Sequence, residues 1–358
     1  MGIHEEDIVV VIGAGASSNY RMPTNKQLKD FLIKPSLYLH TPHVRDMPHG
    51  HFGAPFEALD NLSTKLFAKI LNSFKNDSID NELINILIKS SSEDSIDQIW
   101  YRLNMANKHE HAKLLKVKAI SSITLFMLAR KTYHNHSWLK ELSNKIGLEA
   151  ILKMKWIIFN YDLFFEEDLA ELFHEKENSL YRNKSKSLQI RGLTRLTNPL
   201  ALDISGAAPI VETFRPMGWV DPQIYDYENS FHTLIHNVNN EYKIEAEDFL
   251  NKIIENTNYC IFMEEPLSIS TLPNRRDRDD IQNIIKSCKK IIFLGYGFNE
   301  KNNELLSDTF ENDVLPKAFG TSFKIDKQKI EHFRASGAHF LDRDVISFIK
   351  DWQRNITK

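Results

Sequence analysis

Along the chain, short unbroken apolar runs alternate with segments in which apolar residues recur every three to four positions. The runs at residues 8–12, 156–159, 210–214, 259–263, 291–294 and 322–325 are β-branched or aromatic and end in glycine, proline or polar residues. Such runs predict buried strands. Helical spacing over residues 25–33, 164–174, 246–255, 278–287 and 344–352 falls between many of them. The alternation predicts an α/β chain of the Rossmann-like, doubly wound class, with a mostly parallel sheet.

One interval departs from this rhythm. Residues 36–149 contain no convincing strand-like run, yet helical spacing recurs at Leu59, Leu62, Leu66 and Ile70, at Leu83, Ile84, Leu87 and Ile88, and at Ile120, Ile123, Leu125 and Leu128. The expectation is a helical insertion that splits a Rossmann domain into residues 1–35 and 150–358. The polar stretches 177–186 and 268–280 are expected to be surface connections.

Composition changes this picture mainly by exclusion. With 45 basic and 48 acidic residues the net charge is -3, so there is no global electrostatic case for nucleic acid or an anionic membrane surface. Cys260 and Cys288 are the two cysteines of the chain, too few for a disulfide framework or a four-cysteine zinc site. Both are expected to be buried thiols. The opening apolar run is shorter than a signal-peptide core and the run 120–128 is shorter than a membrane span, so a cytoplasmic location is expected.

The first run leads into Gly13-Ala14-Gly15-Ala16-Ser17 and then a polar, amphipathic stretch. A strand, glycine turn and helix start in this order can bring backbone amides to a phosphate; the other reading is a glycine turn without a ligand. Ser17 could bind the same anion or cap the helix, while Ser18 stands where a strict GxGxxG pattern has its third glycine. The run 156–159 ends in Asn160-Tyr161-Asp162, a carboxamide and a carboxylate at a strand's carboxyl edge. That edge binds ligands in open α/β sheets, although an Asx turn capping the helix near Phe164 gives the same spacing. The run 291–294 enters Gly295-Tyr296-Gly297-Phe298-Asn299.

Together these motifs resemble the sirtuin-like family, in which a strand ends in Gly-Ala-Gly-x-Ser with a proline shortly after. This chain has VVVIGAGASSNYRMPT, with Pro23 in that place. Asn160-Tyr161-Asp162 looks like the Asn-Tyr-Asp form of bacterial members, Gly295–Phe298 like the family's late glycine loop, and Ser95-Ile96-Asp97 like its Ser-Ile-Asp helix start. The resemblance implies an NAD site. Gly13, Ala14, Gly15, Ala16 and Ser17 would hold the diphosphate, and Pro23 would lie near the nicotinamide ribose. Asn160 would orient the ribose or an attacking water, and Asp162 would contact nicotinamide. Gly295, Tyr296, Gly297 and Phe298 would close over adenosine and phosphate, and Asp326 would meet ribose hydroxyls or cap the helix after it.

The chain also departs from the family. Met217, in Arg215-Pro216-Met217-Gly218, stands where the family has its basic histidine, and a thioether cannot take a proton. His232 and His236 could substitute, or be a metal pair or a surface stripe; His40, His43, His49 and His51 could be a metal site or a polar loop. The paired Cys-x-x-Cys elements of deacetylating sirtuins are absent from the sequence, which implies no zinc and makes deacetylation a poor expectation. Zinc-free bacterial members commonly cleave NAD to nicotinamide and ADP-ribose, often as depletion effectors in antiphage defence. Hydrolysis of NAD is therefore the leading expectation, with Asn160 and Asp162 catalytic. The alternative is a degenerate NAD or ADP-ribose sensor. The apolar insertion helices leave room for a homo-oligomer or a partner subunit.

Overall fold

The computed structural model describes residues 7–18, 22–33, 78–90, 95–130, 137–162, 164–180, 189–191, 210–215, 275–298, 302–303, 306, 318–323, 325, 327–335 and 337–356. Seven strands form one sheet: β1 (Ile8–Ile12), β2 (Lys155–Ile158), β3 (Gln189–Arg191), β4 (Ile210–Phe214), β5 (Lys290–Leu294), β6 (Ala318–Thr321) and β7 (His339–Leu341), in the order β3-β4-β2-β1-β5-β6-β7. Every neighbouring pair is parallel. Without the short β3, this is the Rossmann order 3-2-1-4-5-6. The α/β, parallel-sheet expectation holds.

The strand runs are unbroken because the middle of a parallel sheet has no wet face. All five residues of β1 and of β5 are buried, and the two strands pair in register from Ile8 opposite Lys290 to Ile12 opposite Leu294. The strand expected at 259–263 and the helix expected at 246–255 lie outside the described residues, and one other strand expectation needs correction. The described residues of the run 322–325 are not strand; β6 lies just before it, and Phe323 is exposed. Ala318 and Gly320 carry little β signal, but a Cβ added at Gly320 would fall 2.5 Å from the Phe293 carbonyl oxygen. Close packing against β5, rather than propensity, selects this strand.

By contacts the chain forms two compact units: Met1–Asn19, His136–Pro216 and Leu272–Lys358 in one, Tyr20–Asn135 and Met217–Thr271 in the other. The first contains the sheet, together with α1 (Ala14–Ser17), α6 (Trp138–Ile146), α7 (Leu148–Lys153), α8 (Phe164–Leu180), α9 (Arg275–Ser287), α10 (Lys327–Ala335), α11 (Val345–Lys350) and α12 (Trp352–Ile356). Helix α8 continues into the stretch expected as a connection at 177–186, and α9 begins within 268–280, so both expectations were too long. Asp344 caps α11 through the Ser347 amide, and Ser137 caps α6 through that of Lys140. Trp138, Trp156 and Phe165 pack together on this unit, joining α6, β2 and α8.

The second unit contains α2 (Asn25–Ile33), α3 (Ser78–Lys89), α4 (Ile96–Met105) and α5 (His109–Arg130). Ser95 opens α4 with a full capping box: its hydroxyl accepts from the Gln98 amide, and the Gln98 side chain accepts from the Ser95 amide. Inside this unit Lys118 pairs with Asp80, both buried. No helix among the described residues is long and apolar enough to cross a membrane.

Candidate functional site

Strand order reverses between β1 and β5, since the chain winds outward from β1 to β2 and β4 and then returns to lay down β5 on the other side. A cleft outside the carboxyl ends of such strands is where this sheet type takes ligands. Two loops meet there back to back. The Gly13 amide donates to the Leu294 carbonyl at 3.0 Å and the Gly15 amide to the Gly295 carbonyl at 2.9 Å. A Cβ on Gly13 would lie 2.6 Å from the Gly295 oxygen, and one on Gly295 would lie 2.0 Å from the Ala16 nitrogen. Gly295 also has φ +59°, a left-handed backbone that glycine adopts without strain. The Thr321 hydroxyl, at the end of β6, accepts from the Gly295 amide at 2.8 Å and fixes the loop from behind.

The glycines therefore have a structural use of their own. They let the β1 and β5 loops touch backbone to backbone, and two of the amides expected at a phosphate are already bonded to carbonyls. Ala16 likewise donates to the Gly13 carbonyl within the single turn of α1. The next loop residues divide. Tyr296 and Phe298 are buried, Tyr296 packs edge-on to Phe159 and Phe298, and Phe298 packs on Phe333 and Phe340. Burial pushes the Tyr296 phenol well above its ordinary pKa, and its hydroxyl donates to Asn303. Gly297 is exposed, with open space around it.

Beside the glycine loops, β2 delivers Asn160 and Asp162. Asn160 is 4% exposed, and its side-chain amide donates to the Ser17 hydroxyl at 2.6 Å. That hydroxyl also lies beside the Asp162 carboxyl and favours its ionised form. A hydroxyl has one proton, so if Ser17 gives it to Asp162 it must receive from Asn160, and the Asn160 carbonyl oxygen faces away. This buried oxygen, Oδ1, has no hydrogen-bond partner among the described residues. Leaving such an acceptor dry costs about 1–3 kcal/mol, which a ligand donor or water would recover.

Asp162 does two things at once. Its Oδ1 accepts the Phe164 amide at 3.3 Å, so the helix-capping reading is realised, and it also faces Ser17. Burial raises its pKa above the ordinary carboxylate value; the Ser17 hydrogen bond, the charge of Arg215 and the Phe164 amide act in the other direction.

Sequence reasoning passed over the group that holds this loop. Arg215, immediately after β4, gives Glu166 a two-pronged contact at 2.7 and 2.5 Å, and donates to the backbone carbonyls of Asn160 at 2.7 Å and Asp162 at 2.9 Å. The side chains of both partners are almost wholly buried. A fork of this kind is what arginine offers and lysine does not. The signal was the pairing of β4 with β2, which sets Trp156 against Thr213 and Ile157 against Phe214 and so carries Arg215 to the Asn160 loop.

No family model, curated protein or solved structure matches this chain. What the site can do must come from its own side chains. Ser17, Asn160 and Asp162 are brought together; Pro23 is buried in the other compact unit. Asp326, Asn299, Met217, His232, His236, Cys260 and the histidines at 40, 43, 49 and 51 lie outside the described residues. Cys288 is a buried thiol that donates to the Ile285 carbonyl. Among the described residues no group of three or more metal-ligating side chains is found.

Proposed function

We propose that this chain binds NAD at the carboxyl ends of β1 and β2 and hydrolyses it to nicotinamide and ADP-ribose, as the sirtuin-like resemblance implies. The observation that carries the proposal is the buried Asn160 oxygen beside Ser17 and Asp162, one strand over from the point where the strand order reverses. An acceptor fixed in this way suits a ribose hydroxyl or a water molecule. Water would form a bond to C1′ of the nicotinamide ribose while the C1′–nitrogen bond breaks, nicotinamide leaving with the electron pair and the water proton passing to solvent. Asn160 orients, and an ionised Asp162 stabilises the positive character of the ribose.

Because burial raises the Asp162 pKa, nicotinamide release should climb with pH through a range above the ordinary carboxylate values. Purified protein incubated with NAD and analysed by chromatography tests the reaction. Nicotinamide that accumulates with wild type and not with Asn160→Ala supports it; a folded wild type that releases none in any oligomeric state contradicts it. A second reading, nucleotide retention without cleavage, is favoured by Met217 at the position of the family's histidine. It calls for NAD binding in calorimetry with no nicotinamide formed, and for turnover gained by Met217→His.

A further inference from the structure

We infer that Arg215, braced by Glu166, is a positioning residue for the site: it sets the Asn160–Asp162 loop so that the Asn160 amide stays on Ser17 and its free oxygen points to the ligand. The inference rests on the proposed NAD reading for its kinetic consequence and on geometry alone for its structural one. The guanidinium binds the main chain at both ends of the segment, at the carbonyls of Asn160 and Asp162, and holds neither functional side chain directly. Its remaining contacts are to the Glu166 carboxylate, two residues into α8. One rigid fork thus ties the end of β4, the start of α8 and the loop between β2 and α8.

The arrangement goes beyond what the fold requires. The sheet is already joined there by β2–β4 pairing, and the helix start is already capped by Asp162. A neutral loop with its carbonyls turned to solvent would serve the fold as well, without burying a charged pair whose desolvation largely offsets its attraction. A buried pair retained at the backbone of two candidate catalytic residues is explained by the precision that site demands. Displacement of a reacting group by about 1 Å can cost 100-fold in rate. Arg215 is also the last residue but one before the chain passes, through Pro216, from the sheet unit into the segment Met217–Thr271 of the other unit.

The test uses the full chain with Arg215→Lys, which keeps the charge and loses the fork, and Glu166→Gln, which keeps the shape and frees the fork. Two readouts are taken on each. The first needs no substrate: the side-chain amide signals of Asn160 in a nitrogen-15 spectrum, identified by their loss in Asn160→Asp. Both variants are expected to keep the wild-type far-UV circular dichroism while these signals move. The second is NAD cleavage, where kcat is expected to fall about 100-fold with KM changed less than about threefold. Folded variants with unmoved Asn160 signals overturn the inference. So does failure of both variants to fold, which would assign the pair to the fold, and so does a rise in KM at constant kcat. If wild type cleaves no NAD, the proposed function fails, while the Asn160 signals still decide the positioning role.

Discussion

The two halves of the site are built on different physics. On the β1–β5 side, Gly13, Gly15 and Gly295 lie backbone against backbone, with every described contact short and no side chain between them. On the β2–β4 side, Ser17, Asn160, Asp162, Glu166 and Arg215 form a buried polar network in which the Asn160 oxygen has no partner among the described residues. The first half is a steric fit, and its tolerance is set by the absence of a methyl group. The second is an electrostatic balance, and its tolerance is set by whether each charge and lone pair keeps a partner.

The difference can be broken from either side, and the largest effect belongs to the glycines. Gly295→Ala puts a Cβ into the Ala16 nitrogen at a positive φ, and is expected to cost about 3–5 kcal/mol or to prevent folding altogether. Gly297→Ala, two residues on and in open space, should leave the unfolding free energy from chemical denaturation within about 0.5 kcal/mol of wild type. Equal losses for the two would show that the loop, and not the interlock, sets the cost. On the polar side, Glu166→Ala leaves the buried Arg215 guanidinium without its counter-charge and should cost about 3 kcal/mol. A loss below about 1 kcal/mol would mean that water replaces the carboxylate there.

Thr321→Val removes the acceptor behind Gly295 and should cost about 1–2 kcal/mol in urea unfolding, the price of one orphaned amide. The smallest effect has the most informative sign. Because the Asp162 pKa is raised by burial, the folded state holds its proton more tightly than the unfolded state. Stability linked to that proton is complete below the ordinary carboxylate pKa and is lost as pH rises through the raised value. Asp162→Asn should therefore melt no lower than wild type at neutral pH, and its margin should shrink as the buffer is acidified into the carboxylate range. A margin that grows on acidification would mean that Asp162 is stabilised as the anion.

Much of the steric half was legible in the sequence and much of the polar half was not. A glycine following an apolar run is visible one residue at a time, so Gly13, Gly15 and Gly295 were found. Their shared use, each making room for another some 280 positions away, depends on β1 lying beside β5. Ser17, Asn160 and Asp162 could be picked out because they follow strand ends. Arg215 and Glu166 could not, since one looks like a charge after a strand and the other like a charge on the first turn of a helix; only the β2–β4 pairing brings them together. The same limit applies to β6, where Gly320 is required by the backbone of Phe293 and leaves no apolar run to read. Tyr296 and Phe298, read as part of a loop over nucleotide, spend their rings in the core between the sheet and α10. Local pattern reports burial and turns; partnership requires topology.

The most direct measurement is a structure of the chain soaked or crystallised with NAD, inspected at Asn160. The expected result is a nucleotide lying across the ends of β1 and β2, with a ribose hydroxyl or a bound water donating to the Asn160 oxygen that has no partner among the described residues, while its amide remains on Ser17. A nucleotide bound elsewhere, or an Asn160 oxygen satisfied by a protein group with the cleft closed over it, would contradict the assignment of this site.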